Sequence, residues 1–328
     1  MTQYIFRRSL QAIPLLLFIS VVVFALVQLS PGGPLSRFDN APGFSETDLQ
    51  RLRQQLGLDE PLPVRYVRWL GSVLRSDLGE SYVTHQPVTE ILAERIPNTL
   101  RLMLPAFVVT LLLAIPIGVI SALKQYSVFD HVVTAIAFAG QSIPIFWFGL
   151  LLIIIFFSWL DNPYTGEPLF PAGGIYSLDH QGEFWDGVWH LVLPVTMLSL
   201  AWVSWYTRFI RSSMLEVVRQ NYVQTATAKG LPRRWVIGRH AFPNAIIPLV
   251  TLIALDLPTL FAGAVFTETI FSWPGMGRLF FQSAQRRDYP VLQAIIMITA
   301  VLIVVSNLLA DIVYGWLDPR IRFDQQEK

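Results

Sequence analysis

The sequence predicts an all-α integral membrane protein with about six transmembrane helices, as its composition and its long apolar runs indicate. Hydrophobic residues make up 53% of the 328 residues and charged residues only 14%, whereas soluble domains contain roughly 25% charged residues. The mean hydropathy is +0.49. The apolar residues occur in runs of about the 20 residues that a helix needs to cross the hydrocarbon core. The same figures exclude a disordered chain, collagen and a coiled coil.

Six runs of this length predict six spans. They are Leu10–Leu29, Leu100–Leu123, Val132–Leu160, His190–Ile210, Ala245–Phe266 and Val291–Leu317. The first run follows Arg7 and Arg8, as the core of a signal peptide would. However, it is longer than the roughly 7–15 residues of such a core, and no Ala-x-Ala cleavage site follows it. We therefore expect it to be retained as a transmembrane helix.

The distribution of lysine and arginine predicts that both termini lie in the cytoplasm. The short connection 161–189 contains neither residue, whereas the connection after the fourth span contains six: Arg211, Arg219, Lys229, Arg233, Arg234 and Arg239. Basic residues also precede the first span and occur in the tail. Arg278, Arg286 and Arg287 depart from this pattern in the last outer connection. Because basic residues accumulate in short cytoplasmic connections, the overall bias places 161–189 outside.

The stretch between the first two spans is predicted to be a helical extracytoplasmic segment. Ser45-Glu46-Thr47-Asp48 resembles a capping box with aspartate in place of glutamate, and Leu49, Leu52, Leu56 and Gly57 follow with helical spacing. Val64–Leu74 is a second amphipathic stretch. Either a small cap packed on the membrane portion or a docking site for a ligand fits this pattern. The predicted regions are 1–30 (N-terminus and first helix), 31–97 (extracytoplasmic segment), 98–317 (five-helix transmembrane domain) and 318–328 (cytoplasmic tail).

Enzymatic chemistry finds no support in the sequence. The chain has no cysteine, which excludes disulfides and thiolate metal sites. Its lysines, Lys124, Lys229 and Lys328, do not follow a glycine, so it has no Gly-Lys-Ser/Thr phosphate loop with which to hydrolyse ATP. Neither a Gly-x-Ser-x-Gly elbow nor a His-Glu-x-x-His helix occurs, and the five histidines show no metal-ligand spacing. We therefore predict no catalytic residue, metal or cofactor in this chain, and no nucleic-acid partner.

Ionisable residues within predicted spans are candidate functional residues, because burying a charge in a bilayer is costly. Asp256 lies within the fifth span, Glu268 near its outer end, and Asp311 about two turns from the inner end of the sixth. A proton-coupled carrier would normally show several such groups in a relay. Asp256 can instead be satisfied by a neighbouring helix or line a water-filled cavity, and both alternatives stay open.

The connection after the fourth span has the order of features expected of a docking helix. A short helix is predicted from Asn221 to Gly230, because Gly230 and Pro232 form a helix stop and a turn. Ala226 and Ala228 keep this helix slender, so another protein can approach its backbone. A basic loop near anionic lipid is the alternative. The segment's candidate residues are Asn221, Tyr222, Thr225, Ala226, Ala228, Lys229, Gly230, Leu231, His240, Pro243 and Asn244.

This connection resembles the cytoplasmic coupling loop of binding-protein-dependent ABC importer permeases. The pattern of that loop is Glu-Ala-Ala, three residues, Gly, nine residues and Ile-x-Leu-Pro. Aligned on Gly230, the chain reads Gln224-Thr225-Ala226 at the start and His240-Ala241-Phe242-Pro243 at the end, so several positions of the pattern are replaced. The block Tyr222–Leu231 is similar to the dipeptide/oligopeptide/nickel branch of these permeases.

Four further blocks carry the same resemblance, to the first permease subunit of that branch. They are Leu56–Leu62 with Asp77-Leu78-Gly79, then Ser142–Trp147, Thr267–Gly277 and Asp318–Arg322. The resemblance therefore extends from the first span to near the C-terminus. Within the third block, Pro274-Gly275 suits the central positions of a type II turn, and Asp318-Pro319 is expected to end the last span.

The resemblance implies the type I permease fold of ABC importers and a set of partners in a bacterial or archaeal plasma membrane. These partners are a second homologous permease, two ATPase subunits that carry ATP and Mg, and an extracytoplasmic solute-binding protein. Dipeptides or oligopeptides are the expected cargo, with nickel, glutathione and oligosaccharides open, as is a permease homodimer or heterodimer. An ion-gradient-driven carrier is the alternative class. Candidate path or gate residues are Asp256, Glu268, Trp273 and Pro274.

Overall fold

A computed structural model describes residues 2–29, 47, 50–51, 54 and 59–317. The capping sequence around Ser45, the leucines at 49, 52 and 56, and the closing motif Asp318–Arg322 lie outside the described residues. So does the side chain of Asp311.

Helices make up the described fold. In chain order they are α1 (Thr2–Gln28), α2 (Leu62–Leu74), α3 (Val88–Leu123), α4 (Val128–Ser142), α5 (Ile145–Ile153), α6 (Phe184–Val218), α7 (Asn221–Ala228), α8 (Arg233–Trp235), α9 (Phe242–Asp256), α10 (Thr259–Ala262), α11 (Val265–Ile270), α12 (Met276–Arg286) and α13 (Tyr289–Leu317). Two π-helical turns, Ile154–Trp159 and Val236–Ala241, extend α5 and join α8 to α9.

The described helices confirm a membrane protein of about six spans. Five are long and apolar enough to cross a bilayer: Leu10–Gln28, Val88–Leu123, Phe184–Val218, Arg233–Phe261 and Tyr289–Ala310. The bent pair α4–α5 supplies a sixth if it crosses as one unit.

The third span is not the continuous helix that its apolar run predicts. α4 and α5 meet at a bend of 99°. Ile143, which precedes Pro144, has φ −79° and ψ 126°. A residue before proline is driven out of the helical region by the proline ring, so Pro144 breaks the run. The expectation of one helix over 132–160 is therefore wrong.

The second and fifth spans begin and end elsewhere than predicted. α3 starts at Val88, so the predicted boundary between residues 97 and 98 falls inside a helix. The helical run of the fifth span starts at Arg233, is interrupted at 257–258 between α9 and α10, and ends at a turn at Gly263, after which comes α11. Pro258 stands at the break between α9 and α10. A single helix from Ala245 to Phe266 is therefore wrong.

α3 and α6 pack along their lengths and form the centre of the molecule. Leu102 of α3 and Tyr206 of α6 are buried in the main core cluster. The same cluster continues through Val223 of α7 to Val236 and Ala241 in the π-helical turn before α9. The segment after α6 is thus built into the same core as the spanning helices.

α2 forms in the amphipathic stretch where it is predicted, and it packs on α1. The Tyr66 hydroxyl lies 2.8 Å from the Ser20 hydroxyl, and the rings of Tyr66 and Trp69 lie 5.6 and 5.7 Å from that of Phe24. Arg65 donates a 2.6 Å hydrogen bond to Gln28 at the end of α1. α2 is therefore packed on α1, as the cap alternative expects, and a docking site for a ligand in this segment stays a prediction.

Candidate functional site

The turn into α7 is tight and the turn out of it is left-handed. α6 ends at Val218, and Gln220 is extended, with φ −70° and ψ 145°. The Gln224 side chain donates a 3.0 Å hydrogen bond to the Arg219 carbonyl and braces this corner. After α7, Gly230 has φ +78°, a conformation that costs other residues about 1–2 kcal/mol. The predicted short helix and its glycine stop are confirmed.

α7 has a buried face and an exposed face. Val223 and Ala226, one turn apart, are 4% and 7% exposed and pack in the main core. Ala226 therefore presents its side chain to its own chain, and its small size lets α7 lie close to the spanning helices. The exposed residues between Asn221 and Leu231 are Asn221, Tyr222, Gln224, Thr225, Thr227, Ala228, Lys229, Gly230 and Leu231. We call this set the α7 face.

Beyond the turn, Pro243 explains why the helix into the fifth span is wound as a π-helix over Val236–Ala241. Proline has no N–H, and its ring clashes with the carbonyl four residues earlier, which belongs to Arg239. The wider π turn avoids that clash. Asn244 donates a 2.8 Å hydrogen bond to the carbonyl of His240. Pro243 and Asn244 are thus exposed residues that shape the backbone, and His240 is half-buried beside them.

A buried ion pair, which the sequence analysis did not anticipate, lies close to this segment. Arg211 of α6 donates bonds of 2.6 and 2.7 Å to the two oxygens of Asp130 in α4. The same carboxylate accepts from the Ser121 hydroxyl and, at 2.9 Å, from the backbone N–H of Tyr126. The Asp130 side chain is 3% exposed and that of Arg211 is 26% exposed. This clasp ties α3, α4 and α6 together.

Removal of Asp130 is expected to destabilise the protein strongly. Asp130→Ala leaves the Arg211 guanidinium and two further donors without their acceptor, and breaking a buried ion pair costs about 3–5 kcal/mol. Thermal unfolding of the purified chain in detergent checks this. Glu216→Ala, at an exposed position on α6, is the matched control. Equal melting temperatures for the two variants would show that the clasp contributes nothing to stability.

Glu268 is fully buried, with an exposed fraction of 0%. One carboxylate oxygen accepts from Thr99 of α3 at 3.0 Å and from the Ala264 N–H at 3.4 Å. The other accepts from the Arg278 N–H at 2.8 Å, in the first turn of α12. A helix N-terminus favours a negative charge. Burial raises the pKa of Glu268, and the hydrogen bonds from Arg278, Thr99, Ala264 and Gly277 oppose that shift.

The chain around Glu268 is packed too closely for ordinary side chains. A Cβ on Gly275 would lie 2.5 Å from the Glu268 carboxyl carbon, so only glycine fits there. Gly275 has φ −103°, which is not the positive φ of a type II turn. The predicted type II turn is therefore wrong. Glycine is needed at position 275 because the backbone there lies close to the Glu268 carboxylate.

Trp273 and Pro274 attach this turn to α3. The Trp273 indole N–H donates a 2.7 Å bond to the carbonyl of Asn98. In return, the Asn98 amide donates a 3.1 Å bond to the carbonyl of Pro274. Trp273 is 1% exposed. Glu268 and Trp273 thus lie within the packing of their own chain, and their role at a gate stays a prediction.

Asp256 is half-buried at the end of α9. Its carboxylate accepts from the hydroxyl of Tyr206 in α6, and the Tyr206 ring meets Phe107 of α3 edge-on at 6.1 Å. The Thr259 hydroxyl caps the Asp256 carbonyl at 2.6 Å. Of the two alternatives for this residue, a neighbouring helix therefore supplies at least one partner. The structure does not bring Asp256 and Glu268 together through any described hydrogen bond.

Comparison with known families identifies the class to which this architecture belongs. The family described as "Binding-protein-dependent transport system inner membrane component" matches residues 114–323. The model for the N-terminal part of the membrane components of such systems matches residues 1–103. The chain belongs to this family of inner-membrane transport components. It is a multi-pass membrane transport subunit and not an enzyme.

Individual relatives match over nearly the whole chain. The oligopeptide transport system permease protein AppB of Bacillus subtilis (strain 168) is 41% identical over 327 residues, which cover 98% of this chain and 100% of AppB. The dipeptide transport system permease protein DppB of Escherichia coli (strain K12) is 40% identical over 336 residues, covering 98% and 99%. The di/tripeptide permease DppB of Pseudomonas aeruginosa (strain UCBPP-PA14) is 40% identical, with the same coverage.

A solved structure shows the same fold. A chain of the MetNI methionine ABC transporter, in inward-facing conformations, aligns with a TM-score of 0.53 at 14% sequence identity. The alignment covers 70% of this chain and 97% of that one. The expected ABC importer permease fold is therefore confirmed, as is the family resemblance that the sequence motifs indicate.

Proposed function

We propose that this chain is the permease subunit of an ATP-driven importer of dipeptides or oligopeptides. The observation that carries the proposal is the α7 face, an exposed helix surface on a segment whose other side shares the core of α3 and α6. The names of the relatives AppB and DppB support peptides as the cargo.

The proposed complex supplies what this chain lacks. A second homologous permease completes the translocation path, and whether it is identical to this chain stays open. Two separate ATPase subunits bind ATP and Mg, and one of them docks on the α7 face while the other docks on the second permease. A solute-binding protein delivers peptide from outside, and this chain binds no cofactor of its own. The chain is also surrounded by membrane lipid, and nucleic acid is not among the proposed partners.

The packing supports a route for the mechanical step. When ATP closes the ATPase pair, the α7 face moves with the ATPase groove. Val223 and Ala226 are packed against the core of α3 and α6, so a displacement of α7 rotates those helices. The Asp130–Arg211 clasp carries α4 with them. ATP binding then shifts the population from an inward-open to an outward-open state.

The proposed orientation has both termini and the α7 face in the cytoplasm. A reporter that is active only outside the cytoplasm should be active when fused near Asp179, in the connection without lysine or arginine. The same reporter near Arg234 should be silent, because that connection is rich in basic residues. The opposite pattern would contradict the orientation.

Uptake by the reconstituted complex tests the proposed function. Proteoliposomes that contain both permeases and the ATPase subunits, with the binding protein added outside, should accumulate a labelled dipeptide only when ATP is enclosed. Ionophores that collapse proton and sodium gradients should leave uptake unchanged. Uptake that ionophores abolish and that persists without ATP would show an ion-gradient-driven carrier instead.

A further inference from the structure

A cavity of about 610 Å³ lies between one end of α3 and the start of α6. This volume is within the roughly 300–1,000 Å³ typical of small-molecule sites. Pro97, Arg101 and Leu104 of α3 form one wall, and Phe184 and Val188 of α6 form the opposite wall. The proposed orientation places this end of both helices on the outer side of the membrane.

The cavity lining is apolar except at Arg101, the one charged residue among the residues that line it. Arg101 is exposed, and its guanidinium forms no hydrogen bond or ion pair with any residue of the described ranges. A guanidinium binds a carboxylate through two parallel hydrogen bonds.

The backbone of Arg101 adds an acceptor at the same position. Pro105 lies four residues later on α3 and also lines the cavity. Because proline has no N–H, the carbonyl of Arg101 has no donor at its usual helical position. The side chain of residue 101 therefore offers donors, and its carbonyl offers an acceptor for an N–H group.

Aromatic side chains also line the cavity. Tyr176 and Phe184 belong to α6 and the loop before it, and Trp273 is held by its bond to Asn98. Trp273 thus reaches a ligand-sized space although it is buried. Flat aromatic walls bind apolar and aromatic groups well.

We propose that this cavity is the acceptance site for a short peptide, with the C-terminal carboxylate on Arg101 and an apolar side chain against the aromatic wall. A peptide offers this combination of a carboxylate, a backbone N–H and an apolar group within a few ångströms. The substrate class rests on the proposed function, but occupancy of the cavity does not require ATP or the binding protein.

Protection of an introduced cysteine tests the proposal, because the chain has no cysteine of its own. Leu104→Cys, at a position 47% exposed, reports on the cavity, and Tyr164→Cys, 95% exposed in the outer connection 161–189, is the control. The assembled complex in nanodiscs is labelled with a membrane-impermeant maleimide, without binding protein. Alanyl-phenylalanine should slow labelling at position 104 several-fold and leave the labelling rate at position 164 unchanged. Its C-terminal amide should not protect, and Arg101→Gln should abolish protection, whereas Arg101→Lys should restore part of it.

Two results would overturn the proposal. Labelling of Leu104→Cys at the same rate with and without the dipeptide would show that no peptide binds there. Complete lack of labelling would show that the second permease or lipid fills the cavity. An uptake measurement separates this failure from failure of the proposed function. If the wild-type complex imports dipeptide with ATP but the cavity is not protected, only the proposed peptide site is contradicted.

Discussion

Glu268→Ala is expected to prevent the chain from reaching a stable fold. The substitution removes the acceptor shared by Thr99 and by the N–H groups of Ala264 and Arg278, all around a carboxylate with no exposed surface. Each buried donor left unsatisfied costs about 1–3 kcal/mol, so the total is a large part of the stability of a protein. Size-exclusion chromatography in detergent after mild heating should show aggregation of this variant well below the wild-type transition.

Two further variants identify the origin of the effect. Glu94→Ala, at an exposed position of α3, should behave like wild type. Glu268→Gln keeps the shape and one acceptor oxygen but turns an amide N–H₂ toward a donor. Its thermal stability should therefore lie between that of wild type and that of Glu268→Ala. A Glu268→Ala protein that is as stable as wild type but inactive in transport would contradict the stabilising role and favour a gate.

Substitutions on the α7 face are expected to abolish transport without unfolding the subunit. Thr225→Trp puts a bulky ring on the exposed side of α7, where it would hold an ATPase groove away. A Cβ at position 230 would have no neighbouring atom within 4 Å, but Gly230→Asp has to adopt a positive φ, which costs about 1 kcal/mol or more. Both variants should retain the partner permease, lose ATPase subunits on purification, and reduce ATP-driven uptake to the level measured without ATP.

Ala226→Trp should behave differently from these variants. Ala226 is buried in the chain's own core, so a tryptophan there displaces α7 and lowers thermal stability as well as transport. Arg234→Gln, an exposed change in the same connection, is the matched control and should transport normally. If Arg234→Gln abolished uptake while Thr225→Trp and Gly230→Asp did not, the segment would act as a basic lipid-binding loop.

Local patterns were sufficient for much of the fold. Apolar runs located the spans, the amphipathic stretch located α2, and Gly230 located the end of α7, since each signal lies within a few residues of its effect. The bend between α4 and α5 also has a local cause, Pro144, but a long apolar run on both sides concealed it. The burial of Ala226 follows from its spacing of three from Val223, which puts both on one helical face.

Contacts between distant residues were beyond such reasoning. Asp130 and Arg211 are 81 residues apart, and Thr99 and Glu268 are 169 apart. No periodicity or motif relates the members of either pair, so only helix packing brings them together, between α4 and α6 for the first pair and between α3 and α11 for the second. From the sequence, Arg211 is interpreted only as one of the basic residues of a predicted cytoplasmic connection. In the structure it is the partner of the buried Asp130 carboxylate. The hydrogen bond from Tyr206 to Asp256, 50 residues away, is also a product of helix packing that no sequence pattern indicates.

Site-specific photo-cross-linking from α7 tests most directly whether this segment is the coupling site. A photoreactive amino acid at Thr225, in the assembled complex, should form an adduct with an ATPase subunit, and its yield should change when ATP closes the ATPase pair. The same residue at Tyr164, 95% exposed in the connection 161–189, should give no such adduct. Adducts from position 225 with lipid alone, or an ATPase adduct from position 164, would contradict the account.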